Sequence, residues 1–123
     1  MQKILIIDDD SMVRELLKMT LSPQYTILES PDAETALDII EIDTPDLILL
    51  DWVLPGLSGV HIVRLLRRNP QWAGIPVIII SARGEEQTRN LAQEYNLSGH
   101  LAKPFDVNEL RALVSRALER RRA

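Results

Sequence analysis

The chain contains no cysteine, which excludes disulfide scaffolds, cysteine-type zinc sites and thiol catalysis. Its two histidines, His61 and His100, stand too far apart in sequence to form a zinc motif. No apolar run is longer than a few residues, far short of the ~20 needed to span a bilayer, so no membrane association is expected. The N-terminal run is too short for a signal peptide and ends in acids, so a cytoplasmic protein is expected. A net charge of -4 is too mild to draw a partner by charge alone, and it argues against direct nucleic-acid binding. There is no internal repeat, no low-complexity stretch and no internal linker.

What is present fits a single domain spanning residues 1–123 around one core. The composition, 46% apolar and 26% charged, is that of an ordinary soluble globular protein. The first informative stretch is "ILIIDDDS", residues 4–11. Four aliphatic residues deliver three carboxylates to one point. Packed like charges repel, and a buried carboxylate without a partner is costly. Either the acids face water or a cation belongs among them.

Strand-like and helix-like segments alternate. "KILII" (3–7), "LILL" (47–50) and "VIII" (77–80) are continuous aliphatic runs, the pattern of strands buried on both faces. "YTIL" (25–28) and "GHLA" (99–102) are less apolar, as edge or near-edge strands would be. Between them lie five helical patterns. Val13, Leu16, Leu17, Thr20 and Leu21 give the first, and Ala33, Ala36, Leu37 and Ile40 the second, with Pro31 expected at its first position. Ser58 is a candidate cap for a third carrying Ile62, Leu65 and Leu66. A fourth runs from about Glu85 to Tyr95 with a thin apolar face of Leu91, Ala92 and Tyr95. The fifth opens with "DVNE" (106–109) as a capping arrangement and buries Leu110, Leu113, Val114, Ala117 and Leu118. The terminal 119–123 stretch reads as a solvated helix end favoured by the helix dipole, or the start of a linker. Five βα units imply an α/β fold, an open parallel sheet with helices on both faces.

In such sheets ligands bind beyond the carboxyl ends of the strands. Asp8, Asp9 and Asp10 end the first strand, Asp51 the third, Ser81 the fourth and Lys103 the fifth. Clustered carboxylates suit a hard cation, Mg2+ in particular, which usually takes one or two of them. A remaining acid can accept a phosphoryl group as an aspartyl-phosphate. A hydroxyl and an ammonium on neighbouring strands suit the other phosphoryl oxygens. Asp10 reads instead as the cap of the first helix. Arg64, Arg67 and Arg68 form a basic helix end that needs no nucleic acid, and His61 reads as solvent-facing.

The pieces "ILIIDDDSMVR", "PDLILLDWVLPGLSG", "IPVIIISAR" and "GHLAKPF" together resemble the receiver domain of bacterial two-component response regulators, of the chemotaxis-regulator kind. The resemblance covers essentially the whole chain. It implies a flavodoxin-like, doubly wound (βα)5 sheet with strand order 2-1-3-4-5. It implies Asp51 as phosphoacceptor, with Asp8, Asp9, Asp51 and the backbone carbonyl of Val53 holding Mg2+. Ser81 and Lys103 would contact the phosphoryl group, and Ser81 would move on activation. A cis peptide is implied between Lys103 and Pro104. Pro55 and Gly59 match the loop after the phosphoacceptor. His100 stands where the family often has a switch tyrosine or phenylalanine, which would make that pocket pH-sensitive. Asn96 replaces a frequent glycine and tolerates the left-handed conformation. Val53 and Arg83 replace polar side chains that tune hydrolysis, so a long-lived phosphoryl group is expected.

The partners implied are a sensor histidine kinase or histidine phosphotransfer protein as donor, and an output partner reading the face of helix 4, strand 5 and helix 5. A phosphorylation-dependent homodimer is a further option. The domain would be a switch and not an enzyme, beyond catalysing its own phosphoryl transfer and slow autodephosphorylation. Three alternatives compete. A haloacid-dehalogenase-type phosphohydrolase needs D-x-D-x-T, and Met12 occupies the last position. A flavodoxin-like FMN carrier needs a neutral phosphate loop where "DDDSMVR" stands. A degenerate receiver acting only as a scaffold sits poorly with the full set of acids, hydroxyl and lysine.

Overall fold

The computed structural model describes residues 1–56 and 58–122. Its elements are β1 (Lys3–Ile7), α1 (Ser11–Leu21), β2 (Thr26–Ser30), α2 (Ala33–Ile42), β3 (Leu47–Asp51), α3 (Gly59–Arg68), β4 (Val77–Ser81), α4 (Glu85–Glu94), β5 (Gly99–Ala102) and α5 (Val107–Arg122). The strands form one parallel sheet in the order β2-β1-β3-β4-β5. Of the terminal 119–123 stretch, residues 119–122 continue α5, and Ala123 lies outside the described residues.

The aliphatic runs are explained by burial on both faces. Successive strand residues point to opposite sides of the sheet. Leu5, Ile7, Ile48, Leu50, Val77 and Ile79 therefore pack with α2, α3 and α4 on one side. Ile4, Ile6, Leu47, Leu49, Ile78, Ile80 and Leu101 pack with α1 and α5 on the other. A strand with two buried faces has no room for polar alternation, so the central strands read as unbroken apolar runs.

The helix starts follow local chemistry. Asp10 caps α1, its side chain accepting from the N–H groups of Met12 and Val13. Asp106 accepts from the N–H groups of Asn108 and Glu109 at the start of α5. Asn96, after α4, has a φ of 52°, the left-handed conformation expected there.

Three expectations are corrected. Pro31 is not the first residue of α2: β2 continues through Ser30, and Asp32 caps the helix by accepting from Thr35 N–H at 2.8 Å. A carboxylate that satisfies a free N–H outcompetes a proline that only pre-sets φ. Leu16 and Leu65, counted on apolar helix faces, are exposed, because each lies at the outer margin of a stripe narrower than its periodicity implies.

Candidate functional site

The same parity that splits the core assembles a polar site. Asp51 continues the row of Leu47 and Leu49, which faces α1 and α5. Asp8 follows Ile4 and Ile6 past the end of β1, and Lys103 follows Leu101 past β5. All three therefore emerge on one side of the sheet at its carboxyl edge. Lys103 Nζ lies 3.0 Å from Asp8 Oδ2 and 3.4 Å from Asp51 Oδ2. Carboxylate oxygens of Asp8, Asp9 and Asp51 lie within 4.8 Å of one another. Asp8 is 2% and Asp51 9% exposed, whereas Asp9 faces solvent.

The loops hold this cluster from several directions. Asp8 N–H donates to Ser30 O, and Asp10 N–H donates to Asp8 Oδ1 at 2.9 Å. Val53 N–H donates to Asp51 Oδ1 at 3.3 Å, while the residue itself is 55% exposed. Beyond it the chain folds back so that Gly59 N–H donates to Trp52 O at 3.0 Å. A Cβ at position 59 would lie 2.7 Å from the Trp52 ring, so close approach requires glycine there. Trp52 is buried and packs against Tyr95, the rings tilted by 47° with centroids 5.2 Å apart. His61 is exposed, and its Nδ1 accepts from Ser58 N–H at the start of α3.

Three acids face one ammonium, and the imbalance shows in the titration of Asp51. Its carboxyl is pushed up to about 6, first by burial and then by the neighbouring Asp8 charge, with Lys103 opposing both. Lys103 is itself pushed up, because its contacts with Asp8 and Asp51 outweigh its own desolvation. The chemistry is that of a cation site: hard oxygen ligands, partly buried and under-neutralised. The three carboxylates could hold a divalent metal.

Ser81 and His100 stand outside this contact set. Ser81 follows the opposite row, is buried, and accepts from Arg83 N–H at 3.1 Å. Its carbonyl accepts from Lys103 N–H, tying the ends of β4 and β5 together. His100 Nε2 pairs with Glu85 Oε1 at 3.0 Å, linking β5 to the first turn of α4. The Lys103–Pro104 peptide is cis. The sequence did not single out Arg14, whose guanidinium donates to the Asp8 carbonyl at 2.7 Å, nor Thr88, fully buried on α4. Among the described residues Thr88 Oγ1 is the one buried side-chain polar atom without a hydrogen-bond partner.

Comparison with known proteins places this geometry in a class. The family model of the response regulator receiver domain matches residues 4–115. The phosphate regulon transcriptional regulatory protein PhoB of Pseudomonas aeruginosa is 38% identical over 118 residues, covering 95% of this chain and 52% of that protein. The transcriptional regulatory protein KdpE of Staphylococcus aureus is 42% identical over 119 residues, covering 96% of this chain and 50% of that one. The receiver domain of the Francisella response regulator 1452 superposes with a TM-score of 0.86 at 28% identity, covering 98% of each chain. The chain belongs to the response regulator receiver domain family, a family of two-component signalling proteins. It spans about half the length of the first curated relatives it matches. No helix among the described residues is long and apolar enough to cross a membrane.

Proposed function

We propose that the chain is a phosphorylatable switch whose acceptor is Asp51. A carboxylate oxygen of Asp51 attacks the phosphorus of a phosphohistidine on a sensor histidine kinase or phosphotransfer protein. The N–P bond breaks, an O–P bond forms, and the departing imidazole regains a proton. The observation that carries this reading is the convergence of Asp8, Asp9 and Asp51 within 4.8 Å, with one ammonium reaching two of them. Asp8, Asp9, Asp51 and the Val53 carbonyl would hold Mg2+. When bound, Mg2+ would offset carboxylate charge and that of the incoming phosphoryl oxygens. Lys103 already stands beside Asp51 and would contact one phosphoryl oxygen; Ser81 would turn toward another.

The response would pass through α4. Its N-cap, Gly84, offers no side chain, and its buried Thr88 hydroxyl is unpaired. A helix with so few polar ties at its start is suited to shift. Ser81 movement would disturb the Arg83 contact at the entrance to α4, and the His100–Glu85 pair would respond with it. An output partner would read the α4–β5–α5 face, and a homodimer through that face is one form such a partner could take. A cytoplasmic location goes with this reading, because phosphohistidine donors are charged from ATP.

The test is intact mass after incubation with Mg2+ and acetyl phosphate or a phosphorylated histidine donor, beside Asp51→Asn. One added phosphoryl group is expected, absent without Mg2+ and absent in the variant. No addition from either donor, while Mg2+ still binds, would leave the scaffold role. Because the exposed Val53 side chain cannot orient water, the added mass is expected to decay slowly; decay within seconds contradicts that part.

A further inference from the structure

Asp8 lies one residue past β1. Its N–H still pairs across to Ser30, but its carbonyl has left the sheet ladder. Arg14, which closes the first turn of α1, fills that gap by donating from Nη1 to the Asp8 carbonyl at 2.7 Å. The Arg14 side chain is only 18% exposed, and its Nε lies 3.4 Å from Glu29 Oε1 on β2. Glu29 Oε2 in turn lies 3.6 Å from Lys18 Nζ. The guanidinium is therefore aimed from an edge strand at the corner where β1 becomes α1.

The Asp8 carbonyl belongs to the planar peptide that joins Asp8 to Asp9. Fixing that carbonyl fixes the Asp9 nitrogen and the direction in which its Cα leaves. The Asp8 carboxylate has its own anchors in Asp10 N–H and Lys103, whereas Asp9 is exposed. We infer that Arg14 is a positioning residue for the divalent-cation site, setting the Asp9 carboxylate toward Asp8 and Asp51 through the Asp8–Asp9 peptide. This rests on the Mg2+ reading above. It makes Glu29 the residue that aims the positioner.

Charge alone predicts the opposite sign. Removing a cation from the neighbourhood of three carboxylates should tighten a dication. Removing a group that orients a ligand should loosen it, typically by at least 10-fold. Lys18 supplies the control, because it also pairs with Glu29 and carries the same charge but does not touch Asp8.

The experiment is a calorimetric Mg2+ titration of the wild-type chain, Arg14→Met, Arg14→Lys, Lys18→Met and Glu29→Gln, with the urea midpoint of each taken on the same samples. Arg14→Met is expected to bind Mg2+ about 10-fold more weakly. Arg14→Lys should fall between it and wild type, and Lys18→Met should match wild type or bind slightly tighter. With acetyl phosphate, Arg14→Met should need more Mg2+ for half-maximal phosphorylation yet approach the wild-type rate at saturation. Unchanged or tighter Mg2+ binding by folded Arg14→Met overturns the inference. If that variant does not fold, Arg14→Lys decides at unchanged charge: weaker binding supports the positioning chain, and unchanged binding overturns it. Failure of the wild-type chain to bind Mg2+ would remove the Mg2+ reading itself, and the inference with it.

Discussion

At the amino ends of the strands Lys3 pairs with Asp43, and Arg121 Nη1 lies 3.6 Å from Asp46 Oδ1. These four side chains are between 34% and 42% exposed. At the carboxyl ends, the side chains of Asp8 and Asp51 are 3% and 11% exposed and share the single ammonium of Lys103. One end has as many cations as acids and sits in water; the other has three acids, two of them buried, around one cation. The titration directions differ accordingly. Lys3 is pushed up chiefly by its hydrogen bond to Asp43, so the charged form is favoured. Asp51 is also pushed up, chiefly by burial, so its charged form is disfavoured. The amino edge is a set of surface ion pairs of small worth. The carboxyl edge carries a local cost that a bound cation can relieve.

The sharpest way to separate the two ends is to remove one cation from each. Lys103→Met leaves two buried carboxylates without their ammonium and is expected to lower stability by about 3 kcal/mol in metal-free buffer at pH 7. Urea unfolding measures this, and a loss no larger than that at the amino edge would erase the distinction. Lys3→Met at the other end breaks an exposed pair and should cost far less than Lys103→Met, fading further in high salt. It should leave phosphorylation of Asp51 unchanged in the mass assay.

The strands and the acids were readable for one reason. Each central strand is buried on both faces, so its run of aliphatic residues ends sharply where the chain leaves the core, and the next residue is the site residue. Asp8, Asp51 and Ser81 are marked in this way, and Lys103 by the end of β5. What was not readable depends on contacts between distant elements. Arg14 resembles any polar helix residue until β2 brings Glu29 beside it and β1 ends at Asp8. His100 acquires a partner only because α4 begins with Glu85 across from β5. Leu16 and Leu65 fit helical periodicity, but the docked width of α1 and α3 decides which leucines reach the core.

The most direct test of the buried edge is the unfolding free energy of wild type and Asp51→Asn in metal-free buffer from pH 4 to 8. Asp51 in the folded chain titrates at about 6, above its ordinary value of 3.8. Between those values the folded state keeps a proton that the unfolded state releases. Wild-type stability should therefore fall as pH rises through this window, and the penalty should be complete above it. Asp51→Asn lacks the titrating group, so its advantage should be small at pH 4 and grow to about 3 kcal/mol at pH 7. Saturating Mg2+ should narrow the gap by stabilising wild type more than the variant. Parallel pH curves for the two proteins, with no gap opening between pH 4 and 6, would contradict a carboxyl edge held in an under-neutralised state.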